Sequence, residues 1–296
     1  MELRQLEYLV AVAEEANFTR AAERVHVSQS GVSAQIRQLE REVGAELFDR
    51  SSRVVVPTPA GKAALAHARA ALGAVRELTA AVDDVTGAVR GELAVGMVTA
   101  CTVTGLFDAL ARFHAAHPGI ELTVSEDHSS VLVDGVRDGA LDVALVGVPG
   151  EVPADLEGGV LVDEPIALAV PSAHPLAGAE SVALADALAY PLVTMPPGTG
   201  VRDTFELECA AHGLTPTVAC QASAPDAVAD LCGRGLGVAV LSESMVAAYP
   251  LVRVRVADAA HRALLALVWR PGAGLAVRRL VDECCTAFPT LRLSAA

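Results

Sequence analysis

From Thr58 to about Thr86 the chain carries a run that few architectures can hold. Thr58–Pro59 reads as an N-cap followed by proline at the first helical position, where the missing N–H does no harm. Beyond it the run is alanine-rich and free of proline, with Gly61 and Gly73 its only glycines. Leu65, Ala68, Leu72, Val75, Thr79 and Val82 step by 3, 4, 3, 4, 3. That heptad spacing predicts a helix of about 28 residues, or ~42 Å at 1.5 Å per residue. So long a helix with so small an apolar seam buries little alone, which favours pairing with its copy; packing on its own domain is the alternative. Either way it divides the 296-residue chain into a short part before it and a long part after.

The short part is helical. Leu3, Leu6, Val10 and Ala13 share one helix face, Asn17–Phe18–Thr19 interrupts it, and Thr19 can cap a second helix running to about Val25. After a short turn at His26–Val27, Ser28 can cap a third helix with Val32, Ile36, Leu39 and Val43 on one face. Two short helices, a tight turn and a longer third helix are the helix-turn-helix pattern of DNA readers. Asp49–Arg50–Ser51–Ser52–Arg53 and the β-branched Val54–Val56 then read as a small hairpin, a wing.

Beyond Gly91 strands and helices alternate. Strands are expected at 93–98, 120–125, 142–147, 166–170, 192–194, 218–221, 237–241, 251–256 and 264–269, and helices at 102–116, 129–138, 201–212, 226–234 and 276–288. Such alternation implies an α/β region with largely parallel sheets and ligands at strand carboxyl ends, and nine strands suggest two lobes.

Composition excludes several classes. Hydrophobic residues make up 52% and mean hydropathy is +0.43, yet the longest apolar stretch is Ala263–Trp269, far short of the ~18–20 residues that span a bilayer. Met1–Glu15 lacks the basic start and apolar core of a signal peptide, so a soluble, cytoplasmic protein with no membrane partner is expected. Six cysteines without a Cys-x-x-Cys pair make neither a disulfide framework nor a zinc site. The net charge of −14 belongs to the long part: residues 1–90 hold 11 Lys+Arg against 12 Asp+Glu, leaving 11 and 24 for residues 91–296. DNA affinity depends on a local basic face, so the total does not exclude it. With Lys62 the only lysine there is no phosphate loop, and no nucleophile motif occurs; no enzyme, cofactor or metal site is expected. His114 and His117 lack an acidic or thiol partner nearby in sequence and read as an exposed pair.

The residues Leu3–Leu6, Phe18–Arg24, Val27–Ser28–Gln29, Ser33, Ile36, Leu39–Glu40, Leu47–Arg50 and Thr58–Gly61 resemble, in order, the amino-terminal domain of LysR-type transcriptional regulators. Weaker landmarks follow at Gly91–Leu93, Gly139–Ala144 and Gly235–Ala239. The resemblance implies a winged helix-turn-helix over residues 1–58 and a linker helix over 59–88. It implies a two-lobed, periplasmic-binding-protein-like effector domain over 89–296, with lobe I at about 91–162 and 267–296 and lobe II at about 163–266. It further implies a homodimer or homotetramer on double-stranded promoter DNA that responds to a small-molecule effector.

The DNA-facing residues follow from where a recognition helix enters the major groove. Ser28, Gln29, Ser30 and Ser33 open the third helix, and Gln29 can offer a bidentate amide to adenine. Thr19 and Arg20 suit phosphates, Arg50 and Arg53 an adjacent narrow minor groove, and Arg37 the backbone. The chain departs from the family in having Ser30–Gly31–Val32 where Pro-Ala-Leu is common and Ala34 where an arginine often stands. In the long part, Thr99, Cys101 and Thr102 follow the first strand and Ser129 opens a helix at a position that contacts effector in relatives. Thr199 precedes a helix and Ser223 follows a strand of the second lobe. Hydroxyls converging from two lobes suit a small polar ligand. Thiol-based redox sensing is the alternative, with Cys101 beside a helix start as a candidate for a lowered thiol pKa. A peroxide-sensing branch of the family uses two cysteines around the first helix of the second lobe; Cys209 matches one, but Gly200 stands at the reactive position.

Overall fold

The computed structural model describes residues 1–51, 54–86, 91–99, 101, 103–289 and 291–293. Contacts divide the chain into two compact units, Met1–Gly87 with Arg137–Ala140, and Ala88–Val136 with Leu141–Ala296.

In the first unit three helices, α1 (Leu3–Glu15), α2 (Phe18–Arg24) and α3 (Gln29–Val43), precede a two-strand ribbon of β1 (Phe48–Asp49) and β2 (Val56–Pro57), and α4 (Pro59–Thr86) follows. Each start has a local cause. Glu2 and Gln5 form a capping box on α1. Asn17, rather than the expected Thr19, caps α2: standing two residues earlier, it accepts at Oδ1 from the Thr19 and Arg20 N–H groups, the N2 and N3 amides, at 2.8 and 3.2 Å. Ser28 Oγ accepts from Gly31 N–H at 3.1 Å, and Thr58 Oγ1 from Gly61 N–H at 2.9 Å. Gly44 ends α3 in the left-handed region at φ 75°, the usual glycine role past a helix end. The turn between α2 and α3 places His26 at φ 53°.

Leu9, Val12, Ala21, Val32, Ile36, Leu39, Leu47 and Phe48 form the core, closed by Leu65 and Ala68 of α4. The expected seam is therefore divided: its first half packs on its own unit, whereas Val82, with Leu78 beside it, is exposed. The wing is smaller than expected. Val54 lies outside the ribbon, whose register is Phe48↔Pro57 and Asp49↔Val56; Ser52 and Arg53 lie outside the described residues.

The second unit holds β3 (Gly91–Val98), α5 (Thr104–Ala116), β4 (Ile120–Asp127), α6 (Ser129–Arg137), β5 (Val143–Pro149), β6 (Glu157–Val170), β7 (Ser181–Val182), α7 (Leu184–Ala187), β8 (Leu192–Thr194), α8 (Gly200–Ala211), β9 (Val218–Gln221), α9 (Pro225–Gly233), β10 (Val238–Ser242), α10 (Glu243–Ala247), β11 (Val252–Val256), β12 (Arg262–Trp269), α11 (Leu275–Ala287) and β13 (Arg292–Leu293). Strands run in the order β4-β3-β5-β12-β6-β10-β8-β9, with β11 also on β6. The expectation of largely parallel sheets needs correction. β3 pairs parallel with β4 and β5, and β8 with β9 and β10. β12, however, is antiparallel to both β5 and β6, and β10 and β11 are antiparallel to β6.

The cause is β6. The expected strand 166–170 is only the second half of this 14-residue strand. Its first half pairs with β12 from Glu157 to Pro165, and Ile166–Val170 pairs with β10 and β11. It thus passes from one lobe to the other without a helical return. Separate cores, around Phe113, Leu145 and Leu280 on one side and Leu168, Phe205 and Val240 on the other, leave a cleft between the lobes.

Candidate DNA interface and ligand cleft

The start of α3 presents Ser28, Gln29 and Ser30, all exposed, and Arg37 is exposed two turns further on. Ser28 Oγ is engaged as the cap, with Ser30 Oγ 3.2 Å away, so the Gln29 amide is the group there with no structural duty in the helix start. Ser33 does not join them. It is only 8% exposed, lying between Val32 and Ile36 on the face that packs on the core. Helical spacing explains this: Ser33 follows Gln29 by four residues, but the buried stripe Val32, Ile36, Leu39 crosses that position.

Thr19 and Arg20 are exposed at the start of α2. The Arg20 guanidinium leans on Glu15, with Nε 3.2 Å from its carboxylate, and Arg24 meets Glu14 at 2.6 Å. Arg50 also departs from expectation. Its guanidinium is 2.7 Å from Glu40 Oε2 and lies over the Phe18 ring, 5.1 Å from the centroid, while Glu40 Oε1 accepts from Leu47 N–H at 3.0 Å. Arg50 thereby ties the wing to α3. The spacing of Glu40 and Arg50 carries no signal for this; only the fold brings them together.

A cavity of about 400 Å³ opens in the second unit. Thr99, Cys101, Ser129, Thr199 and Ser223 line it; Thr102 lies outside the described residues. Ser129 is 3% exposed, and its Oγ accepts from Gly147 N–H at 2.9 Å. Thr199 Oγ1 donates to Pro196 O at 2.8 Å. The lobes touch at one edge of the cleft, where Ser130 N–H donates to Gly198 O at 3.2 Å and Gly200 lies against Gly147. A Cβ on Gly200 would stand 2.4 Å from the Gly147 carbonyl carbon.

Sequence reasoning missed a full side of the cavity. Val162 and Glu164 of β6, Leu264 and Leu265 of β12, and Met245 and Tyr249 at and beyond α10 all line it. The strand-to-helix corners announce themselves through hydroxyls, whereas strands passing between lobes read as ordinary apolar segments. Arg202, the basic residue nearest these stretches in sequence, is 7% exposed. It is spent within its own lobe on Glu206 at 2.6 Å and on Thr194 Oγ1.

Burial pushes the Cys101 thiol pKa up rather than down, correcting the expectation drawn from its place near a helix start: desolvation outweighs the single Val103 N–H bond. Burial likewise pushes Cys209 up to about 11 and Cys284 up to about 12. Among the described residues no group of three His, Cys, Asp or Glu side chains could hold a metal, and no helix is long and apolar enough to cross a membrane.

An exposed recognition-helix start on one unit and a two-walled cleft on the other define a DNA-binding regulator with a ligand-receptive domain. The comparisons agree. Residues 3–62 match the family model described as bacterial regulatory helix-turn-helix protein, lysR family, and residues 86–288 match the LysR substrate binding domain. The chain belongs to the LysR family of transcriptional regulators; it is not an enzyme. It is 34% identical over 289 residues to the HTH-type transcriptional regulator ShiR of Corynebacterium glutamicum (strain R), covering 96% of this chain and 97% of that one. It is 32% identical over 282 residues to the hydrogen peroxide-inducible genes activator of Dickeya chrysanthemi, covering 93% and 91%. A solved full-length OxyR from Pseudomonas aeruginosa, a single-cysteine substitution variant, superposes with a TM-score of 0.69 at 26% identity, covering 100% and 99%.

Proposed function

We propose that this regulator occupies promoter DNA through Gln29 and the exposed start of α3, and that a small molecule seated in the cleft, not thiol oxidation, sets that occupancy. The observation that carries the reading is the convergence of Thr99, Ser129, Thr199 and Ser223 from two lobes on one cavity, a volume in the range of small-molecule sites. Ser28 and Ser30 flank Gln29, Thr19 and Arg20 fix the second helix against phosphates, and Arg37 adds a backbone contact. The family likeness to a peroxide-inducible activator raises the thiol alternative, but three features of this chain oppose it. Cys209 is 1% exposed, its thiol is pushed up to about 11, and Gly200 is packed so closely on Gly147 that a side chain there would collide with main chain. The functional divisions are residues 1–58 for DNA, 59–88 for linkage and 89–296 for the effector. Self-association runs along α4, where Leu78 and Val82 are 69% and 57% exposed; a homodimer or homotetramer follows.

The test is selection of duplexes from a random pool by the full-length chain, followed by titration of the selected and a scrambled duplex. Gln29→Ala should weaken the selected duplex by about 1–3 kcal/mol and leave scrambled DNA nearly unaffected. Equal losses on both would remove Gln29 from base reading, and no enriched sequence would remove the DNA-reading role.

A further inference from the structure

The cleft differs in charge from a site built for organic anions. Holding a buried carboxylate takes a cation, or several N–H groups converging on it, to offset its desolvation. No arginine or lysine lines the cavity among the described residues, and Arg202 is turned away into its own lobe. The charged groups on the wall are two acids, Asp127 and Glu164. Asp127 accepts from His128 N–H at 2.7 Å, and Glu164 from the Ser244 hydroxyl at 2.6 Å and Ser244 N–H at 3.0 Å.

Helix N-termini are the other anion cradles, and at two of them a protein oxygen already stands. Ser130 N–H, at the start of α6, donates to Gly198 O. The first turn of α8 carries its own acid, Asp203, which accepts from Gly198 N–H at 2.9 Å. The rest of the wall sets the hydroxyls of Thr99, Ser129, Thr199 and Ser223 among the apolar Val98, Val162, Met195, Val201, Met245 and Leu265.

We propose that the cleft takes a largely apolar small molecule without an anionic group, neutral or cationic. This rests on the cleft being the effector site, and it names the ligand's chemistry. The acids repel a carboxylate and tolerate or attract an ammonium, the aliphatic part of the wall takes the hydrocarbon, and the lining hydroxyls supply the directional contacts.

Three probes with one skeleton separate these contributions: 4-phenylbutanol, 4-phenylbutylamine and 4-phenylbutanoate, titrated calorimetrically into the full-length chain near neutral pH. The alcohol and the amine should bind, and the acid should bind at least about tenfold more weakly, a difference of roughly 1.4 kcal/mol. Asp127→Asn should narrow the gap between amine and acid without abolishing alcohol binding. Met245→Trp, which fills the cavity, should remove binding of alcohol and amine alike. Acid binding as tight as alcohol binding, lost in Met245→Trp, would overturn the ligand class while leaving the cleft as the site. Binding that survives Met245→Trp undiminished in a variant that still unfolds cooperatively would overturn the cleft reading itself. No binding by any of the three would overturn the apolar character assigned to the site.

Discussion

Replacing Gly200 by alanine tests how tightly the two lobes are held at the rim of the cleft. Gly200 opens α8 in the second lobe, and Gly147 lies in β5 of the first. An added Cβ would stand 2.4 Å from the Gly147 carbonyl carbon, 2.6 Å from its Cα and 2.8 Å from its oxygen. Carbon atoms rest at about 3.5–4.0 Å, so the two main chains must part by roughly 1 Å. Neither yields easily. Gly147 is paired with Leu265 of β12, and its N–H donates to buried Ser129 Oγ, while α8 is anchored by Phe205 and Cys209 in the second core. Overpacking of this kind costs about 1–3 kcal/mol, offset by up to ~1 kcal/mol from removing a glycine from a helix. A net loss of roughly 1–2 kcal/mol should lower the midpoint of thermal unfolding by about 2–8 °C for a unit of this size. Gly233, at the end of α9, is the control. A Cβ there meets nothing within 4 Å and its φ lies outside the left-handed region, so Gly233→Ala should be neutral or stabilising by up to ~1 kcal/mol. Differential scanning calorimetry of both variants decides the matter. If Gly200→Ala matches Gly233→Ala, the lobes are not held against each other as described.

Three further outcomes follow. Glu40→Ala should destabilise the helix-turn-helix more than Arg50→Ala, by thermal unfolding, because Glu40 serves both Arg50 and Leu47 N–H; Arg50 alone contributes about 1 kcal/mol, its partly exposed ion pair being screened by solvent. An equal or reversed order would remove that tie. Buried thiols make stability depend on alkaline pH. Their folded pKa values are raised, to about 11 for Cys209 and about 12 for Cys284, so the unfolded chain loses these protons first. Their contribution is complete below about pH 9 and is lost as pH rises toward 11–12. Cys284→Ala should flatten that decline in denaturant titrations, and an unchanged slope would count against the burial described. Finally, a mass-spectrometric thiol-labelling time course on the folded chain near pH 8 should leave Cys209 and Cys284 unmodified while a denatured control labels; rapid labelling of Cys209 would revive the thiol reading.

Much of the first unit is legible in the sequence because its signals are local. Ser28, Thr58 and Pro59 stand where the backbone needs them, and the stripe Val32, Ile36, Leu39 declares a buried face. The same stripe places Ser33, 8% exposed, on the buried side of α3. The role of Arg50 was illegible, since its partner Glu40 and the Phe18 ring become neighbours only when the wing folds back on α3 and α2. In the second unit the expected helices stand within a residue or two of the observed ones wherever both ends lie among the described residues, because apolar periodicity and flanking turns mark them, whereas the short α7 and α10 carry no such signal. The antiparallel pairing of β12 and the length of β6 did not register: a strand passing between lobes has the same alternation as one that ends within a lobe. The cleft was half visible for that reason. Its hydroxyl-bearing corners sit at strand ends that sequence can find, and its apolar floor of Val162, Leu264 and Leu265 lies on the two strands whose pairing it cannot.

The central claim is that the cleft governs DNA binding, and one titration addresses it. A metabolite panel is first screened for the compound that most raises the unfolding midpoint of the full-length chain. The affinity of the chain for its selected duplex is then measured with and without that compound, in the wild type and in Met245→Trp. The account predicts a shift in wild-type affinity of about fivefold or more, the lower range of allosteric coupling, and no shift in Met245→Trp. A compound that stabilises the wild type yet leaves its DNA affinity unchanged, or one that acts equally on the filled-cleft variant, would contradict it.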